Sequence, residues 1–328
     1  MNTAEAETPV CEMVDPTRSA ATLVDDAKSG LIDAPRTLPP KYFYDERGSG
    51  LFDQICDAPE YYPTRTESAL LQDVAARVLD EVRPDSIVEL GSGTSRKTRH
   101  LFDACESLGQ APSYFPFDVC DEVLVSSAES LQQSYQWLDV FPMVGDYTAG
   151  LGNLPRREGR NLYVFLGGTI GNFSQAEAQD FLREVRACMA PDDALLIGAD
   201  RVKDPDVLHA AYNDDGGVTA AFNLNLLNVL NRELDADFDP QAFEHYALFN
   251  PQESQIEMFL IAMREQRVRL GELDQVLEFR EGDNIRTEIS RKFTRERLEN
   301  LLGGSGFGVR AHYESDGTKF SLVLADPV

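Results

Sequence analysis

Short continuous apolar runs, separated by stretches with helical spacing, dominate the chain between Ser86 and Ala199. Runs at 86–90, 114–117, 140–144, 162–166 and 194–199 predict buried strands, and the apolar positions over 122–133 and 175–189 predict helices between them. Upstream, Leu70, Leu71, Val74, Val78 and Leu79 fall at helical spacing with Thr66 as the expected cap, and 22–31 reads as a short helix stopped by Gly30. Strands alternating with helices in this way build a parallel, right-handed α/β sheet. A last helix over 295–302 leads to two strands, 309–314 and 320–325, and their connection Ser315-Asp316-Gly317-Thr318 is a hairpin turn signal.

Residues 201–292 break this rhythm, being more than one crossover needs. Helical patterns at 208–212 and 218–234 are followed by strand-like ones at 256–264, 268–270 and 275–279. Residues 17–65 and 202–292 are therefore read as a second, substrate-binding α+β domain. It would cover a sheet domain formed by 66–201 and 293–328, at the carboxyl strand ends where such sheets bind ligands. Residues 1–16 are polar and acidic and are expected to be disordered.

Composition narrows the function mainly by exclusion. An apolar content of 42% suits a globular chain. The formal net charge of -26, from 56 acidic against 30 basic residues, disfavours nucleic acid, whose phosphates need clustered Lys and Arg. Five cysteines without metal-like spacing suit reduced thiols in a cytoplasmic protein, and the four scattered histidines suggest no metal site. No signal peptide is visible, and no apolar run approaches the ~18 residues of a membrane span.

The candidate chemistry starts where the first strand ends, in Glu89-Leu90-Gly91-Ser92-Gly93-Thr94-Ser95. Alternate glycines let the backbone turn sharply and approach a ligand, and a strand–glycine turn–helix unit opens the nucleotide crevice of doubly wound folds. Thr94 or Ser95 is the expected cap of the next helix, with Lys97 and Arg99 in its first turns. Gly93 is followed by Thr94, Ser95 and Arg96, so the third glycine of the dinucleotide fingerprint is missing. That and the C-terminal hairpin disfavour a nicotinamide-dependent dehydrogenase. E-L-G-S-G resembles instead the first motif of S-adenosylmethionine-dependent methyltransferases. Asp118 ends the second run, where an acid can accept ribose hydroxyls, and Asp146-Tyr147 follows the third, where a carboxylate and a ring suit adenine. Each alone is an ordinary capping or loop residue; three correctly ordered strand ends together point to a nucleotide-like cofactor. Lys97, otherwise a surface charge, can pair with that cofactor's carboxylate.

Longer strings carry a more specific likeness. Leu38-Pro39-Pro40-Lys41-Tyr42-Phe43-Tyr44-Asp45, Glu60-Tyr61-Tyr62-Pro63-Thr64-Arg65-Thr66-Glu67, Gly167-Gly168-Thr169-Ile170-Gly171-Asn172-Phe173, Gly217-Val218-Thr219-Ala220-Ala221-Phe222-Asn223, Asn231-Arg232-Glu233-Leu234 and Thr287-Glu288-Ile289-Ser290 are similar to the histidine-specific α-N-methyltransferases of ergothioneine biosynthesis. The resemblance runs from Leu38 to the C-terminus. It implies a Rossmann-like, seven-stranded methyltransferase sheet in a monomeric two-domain enzyme that trimethylates the α-amine of L-histidine to hercynine. It also implies roles: Gly91, Lys97, Asp118, Asp146 and Tyr147 at S-adenosylmethionine; Tyr61, Asn172 and Tyr212 at the amino acid; Glu288 and Ser290 at the imidazole, with Met258 beside the ring. Strand alternation puts Glu288 and Ser290 on one face, able to engage both ring nitrogens. Tyr62 is read as packing.

Methyl transfer needs a neutral amine at near-attack distance, and Tyr44 is the expected group to orient that amine or pass its proton through water. The aromatic faces of Tyr44 or Phe43 would tolerate the quaternary product. Three rivals are the same fold acting on tyrosine or tryptophan, a non-catalytic cofactor-binding homologue, and a protein or nucleic-acid methyltransferase, which the acidic charge and the long insertion disfavour.

Overall fold

The computed structural model describes residues 10–328. In chain order its elements begin with β1 (Glu12–Met13), α1 (Leu23–Gly30), β2 (Arg36–Thr37), α2 (Glu46–Asp57) and α3 (Tyr62–Val82). The alternating portion follows as β3 (Ser86–Leu90), α4 (Arg99–Leu108), β4 (Ser113–Asp118), α5 (Asp121–Ser134), β5 (Met143–Val144), β6 (Asn161–Phe165), α6 (Gln175–Cys188) and β7 (Ala194–Asp200). Next come α7 (Pro205–Tyr212), α8 (Val218–Glu233), β8 (Phe243–Asn250), β9 (Gln255–Ala262), β10 (Gln266–Leu270), β11 (Gln275–Phe279) and β12 (Asn284–Arg291). The chain closes with α9 (Arg295–Gly303), β13 (Phe307–Glu314) and β14 (Phe320–Pro327).

The main sheet has the order β1-β5-β4-β3-β6-β7-β14-β13, parallel through β7, with β14 antiparallel to β7 and β13 antiparallel to β14. Both faces are covered, which is why its central strands read as continuous apolar runs. Ile87, Leu162, Val164 and Leu196 enter one core with Leu71, Val78 and Phe102. Val88, Leu90, Tyr163 and Phe165 enter the opposite core with Phe181 and Ile197, as alternation along a strand requires. The sheet thus contains the seven expected strands and an eighth. Residues 1–9 lie outside the described residues. Within the remainder of the segment expected to be disordered, β1 pairs in parallel with β5, Glu12 opposite Met143 and Met13 opposite Val144. Backbone pairing of two exposed residues leaves no hydrophobic pattern to read.

A second sheet, β2-β12-β9-β8, carries a third core with α8: Phe43, Phe222, Leu226, Leu230, Phe243, Leu260 and Ile285. The chain leaves the main sheet after Asp200 and returns at Phe293, and the two passages lie side by side. The Phe293 N–H donates to the Asp200 carbonyl at 2.8 Å and the Val202 N–H to the Phe293 carbonyl at 3.1 Å.

Two expected helix starts move. α3 begins at Tyr62, not near Thr66, because Pro63 occupies the first turn where a missing N–H costs nothing. α4 begins at Arg99 with Thr98, not Thr94 or Ser95, at its cap position, so the glycine turn is prolonged into a loop. Among the described residues no helix is long and apolar enough to cross a membrane.

Candidate functional site

The carboxyl ends of β3, β4 and β5 meet in one place. Gly91 sits at φ +69° and its N–H donates to the Phe117 carbonyl at 2.8 Å; a Cβ there would stand 3.4 Å from the Tyr147 ring. The Gly93 N–H donates to Asp118 Oδ2 at 2.9 Å, while Asp118 Oδ1 accepts from the Val119 N–H at 2.8 Å. Asp146 Oδ1 accepts from the Thr148 N–H (2.7 Å) and hydroxyl (2.6 Å). The Tyr147 ring is walled by Phe165, Phe173 and Phe181. Burial, then the negative charges of Asp118 and Asp146, hold its hydroxyl firmly protonated. The four residues Gly91, Asp118, Asp146 and Tyr147 therefore share one cleft.

The loop beyond Gly91 is shaped from beneath. Buried Glu89 accepts from the Thr98 hydroxyl at 2.7 Å and from the Tyr114 hydroxyl, and Tyr114 is bonded to Ser95 at 2.8 Å. Burial pushes the Glu89 carboxyl up to about 7 despite those two bonds, which favour its ionised form. Lys97 reaches the same region, but its ammonium already pairs with Glu67 of α3. Glu67, 1% exposed, also accepts from the Gly167 N–H at 2.9 Å.

The second group of residues gathers around β12. Glu288 lies opposite Met258 of β9, and Met258 is fully packed. Burial lifts the Glu288 carboxyl to about 7, with Lys292 pulling it part of the way back, and its oxygens make no hydrogen bond among the described residues. Ser290 Oγ accepts from the Tyr212 hydroxyl at the end of α7, 2.8 Å away. Asn172 ends the 3-10 turn Thr169–Asn172, which presses against β12: a Cβ on Gly171 would come 2.8 Å from the Arg291 carbonyl oxygen. Glycine is what permits that approach. Tyr61 lies edge-on to Tyr212, their centroids 6.1 Å apart, and Phe52 links Tyr61 to Tyr44 at 6.4 and 5.6 Å. Tyr44 keeps 41% of its surface exposed as part of an open cleft wall. Its hydroxyl is nevertheless driven up by surrounding protein and then by the charges of Glu288 and Tyr147, one from each group of residues, so it lies within electrostatic reach of both.

Four residues escaped the sequence reading. Lys292, 2% exposed, donates to Tyr212 Oη (2.9 Å) and Ser290 Oγ (2.8 Å) and pairs with Asp200 Oδ2 (2.9 Å). Tyr62, expected only to pack, donates to Asp200 Oδ2 at 2.6 Å, and Lys203 donates to Asp200 Oδ1 at 2.6 Å. Burial would raise the Asp200 carboxyl, but the two ammonium groups outweigh it and hold it below the usual range. The available sequence signal was Asp200 itself, an acid closing an otherwise apolar strand.

A family model described as "histidine-specific methyltransferase, SAM-dependent" matches residues 23–327. The chain belongs to this family. It is 46% identical to the histidine N-alpha-methyltransferase of Mycobacterium tuberculosis, over 92% of this chain and 93% of that protein. It is 32% identical to ergothioneine biosynthesis protein 1 of Neurospora crassa, over 84% of this chain and 31% of that one. A more remote relative is the 4-dimethylallyltryptophan N-methyltransferase of Arthroderma benhamiae, 26% identical over 85% of this chain and 86% of that protein. Among solved structures, an S-adenosylmethionine-dependent methyltransferase from Clostridium acetobutylicum superposes with a TM-score of 0.45 at 13% identity, covering 79% of this chain and 91% of that one.

The residues of this histidine-specific methyltransferase fit S-adenosylmethionine. A side-chain-free turn at Gly91 opens beside an aromatic face at Tyr147, and Asp118 and Asp146 place carboxylates at successive strand ends. These acceptors beside an aromatic face match a ligand offering hydroxyl and amino hydrogens around a flat base. Among the described residues no group of three or more His, Cys, Asp or Glu side chains is arranged to hold a metal ion.

Proposed function

We propose that this methyltransferase transfers three methyl groups in succession to the α-amine of L-histidine, forming hercynine, the first step of ergothioneine biosynthesis. The observation that carries the reading is Glu288, a half-buried carboxylate without a hydrogen bond among the described residues, standing two residues from a serine hydroxyl. An acceptor and a hydroxyl at that spacing suit the two nitrogens of an imidazole and poorly suit a phenol or indole. A site built on such polar groups rejects ligands that leave them unpaired.

In this reading Tyr61, Asn172 and Tyr212 hold the α-carboxylate and amine, and Met258 lies along the ring. Gly91, Asp118, Asp146 and Tyr147 seat the methyl donor, and Lys97 offers its remaining ammonium protons to the donor's carboxylate. When bound, S-adenosylmethionine supplies an electrophilic methyl carbon for in-line displacement. The chain's own contribution is to present a neutral amine at about 3 Å in the attack direction, which can account for much of the rate. Tyr44, whose hydroxyl stays protonated and lies within electrostatic reach of both residue groups, orients the amine and lets its proton leave through water. Its ring face tolerates the growing positive charge.

Residues 66–201 with 293–328 form the donor domain and 17–65 with 202–292 the substrate domain. We place the enzyme in the cytoplasm as a monomer, with no nucleic-acid or membrane partner. Mass spectrometry after incubation with S-adenosylmethionine and a panel of amino acids tests the assignment. A gain of three methyl groups on histidine alone is expected; modification of tyrosine or tryptophan instead would overturn it. Binding of S-adenosylhomocysteine in calorimetry without any turnover would identify a non-catalytic homologue.

A further inference from the structure

Ser290 is surrounded by donors. Its Oγ accepts from the Tyr212 hydroxyl and from the Lys292 ammonium, both at 2.8 Å. A hydroxyl has two acceptor positions and one proton, so both acceptor positions are filled and only the proton remains to offer. Lys292 cannot easily withdraw. Its three protons are taken by Ser290, by Tyr212 Oη at 2.9 Å and by Asp200 Oδ2 at 2.9 Å. Asp200 is in turn fixed by Tyr62 and Lys203. Three elements thus converge on one ammonium, β12, the end of α7 and the end of β7, and the start of α3 reaches it at one remove through the bond from Tyr62 to Asp200. The charged and titratable groups facing it are Asp200, Lys203, Tyr62, Tyr212 and Glu288.

We propose that Lys292 is a positioning residue that makes Ser290 an obligate donor, so that the ring site takes the neutral imidazole of histidine and rejects imidazolium. The inference rests on the imidazole reading of Glu288 and Ser290 above. A neutral imidazole has one N–H and one bare nitrogen; the N–H goes to Glu288 and the bare nitrogen accepts from Ser290. An imidazolium has N–H groups at both nitrogens. The second would point at an oxygen with no free lone pair and an ammonium close behind it. The same ammonium favours ionised Glu288, keeping the opposite end of the site an acceptor. Histidine would then enter with one defined tautomer, which also fixes the rotation of the ring.

Calorimetry with S-adenosylhomocysteine present, comparing L-histidine with 2-fluoro-L-histidine, tests this, because the fluorinated ring stays neutral throughout the range used. The ratio of the two dissociation constants removes effects common to both ligands, including those of Glu288 protonation. Between pH 7.5 and 5.5 the ratio should rise about tenfold in the native enzyme, since the free ring protonates with a pKa of ~6.5. In Lys292→Met the rise should fall below about threefold. Tyr212→Phe, which frees one acceptor position on Ser290 without removing the ring, should flatten it likewise and serves if Lys292→Met does not fold. A flat ratio in the native enzyme, or an undiminished rise in the folded variants, overturns the proposal. Failure of native enzyme to bind either histidine would instead overturn the imidazole reading itself.

Discussion

Replacing Glu288 with glutamine separates the cost of burying its charge from the use made of it. The carboxyl's value in the free protein is about 7 against an ordinary 4.5, with burial as the main cause. The folded state therefore holds this proton more tightly than the unfolded chain does. Ionisation costs stability progressively as the pH rises from 4.5 to about 7, and the full cost persists above that. At ~1.4 kcal/mol per unit the penalty reaches about 3 kcal/mol at pH 8 and almost vanishes at pH 4.5. Glutamine has nearly the same shape and no charge to bury. Glu288→Gln should be the more stable protein at pH 8 by up to about 3 kcal/mol, with the gain shrinking steadily towards pH 4.5. Urea midpoints measured without histidine, across that pH range, read this directly. Activity should move the other way. The amide oxygen still accepts a hydrogen bond but without charge assistance, worth about 1 kcal/mol, so kcat/KM for histidine should fall about fivefold. Glu288→Ala also strands the ring N–H and should lose at least about a hundredfold. A glutamine variant whose stability relative to the native enzyme did not change with pH would refute the burial cost. Equal losses of kcat/KM in Gln and Ala variants would refute the hydrogen bond to the ring.

Other substitutions probe the remaining parts of the cleft. Gly171→Ala puts a methyl 2.8 Å from the Arg291 carbonyl oxygen, so the turn carrying Asn172 must shift off β12; the histidine KM should rise at least about fivefold while the dissociation constant for S-adenosylhomocysteine stays within about twofold. Asp118→Ala removes the acceptor of the Gly93 N–H together with the candidate ribose ligand, and calorimetry should show S-adenosylhomocysteine bound at least about tenfold more weakly. Tyr44→Phe removes the hydroxyl while keeping the ring. Single-turnover rates should drop at all three methylations, because the primary, monomethyl and dimethyl ammonium groups must each lose one proton before attacking; rates unchanged from the native enzyme at every step would dismiss the proton role.

Much of the architecture was readable because its physics is local. Buried strands read as short apolar runs, as Ala194 to Ala199 of β7 does, and α6 announces itself through a Ser174–Glu177 capping box and a regular apolar face. The misread features have non-local causes. The loop after Gly93 is extended to Thr98 by a buried carboxylate and by Tyr114 from the next strand, so no local cap rule could locate the helix start. β8 went unrecognised because its face towards α7 and α8 mixes Phe243 and Ala247 with the polar His245, which bonds to Asn223 and the Tyr212 carbonyl. At the site, Glu288, Ser290, Tyr212 and Asn172 entered through likeness to a family. Asp200, Lys203 and Lys292 carried no such signal: a lysine just past a strand end reads as surface, and only the arrival of Tyr212 from α7 and Asp200 from β7 makes burial of Lys292 tolerable.

The side-by-side passages at Asp200 and Phe293 bear on how specificity in this fold can be recombined. Exchanging residues 202–292 with those of a relative would look like the transplant of a self-contained cassette, since its ends are adjacent and already hydrogen-bonded to each other. Such a graft would import the counterparts of Met258, Glu288 and Ser290 but leave Tyr44, Tyr61 and Asn172 from the recipient. It would also replace Lys203 and Lys292 while retaining the Asp200 that neutralises them. New selectivity is therefore reached more simply by point changes on β9 and β12, behind an anchoring carboxylate that stays where it is, than by shuffling whole segments.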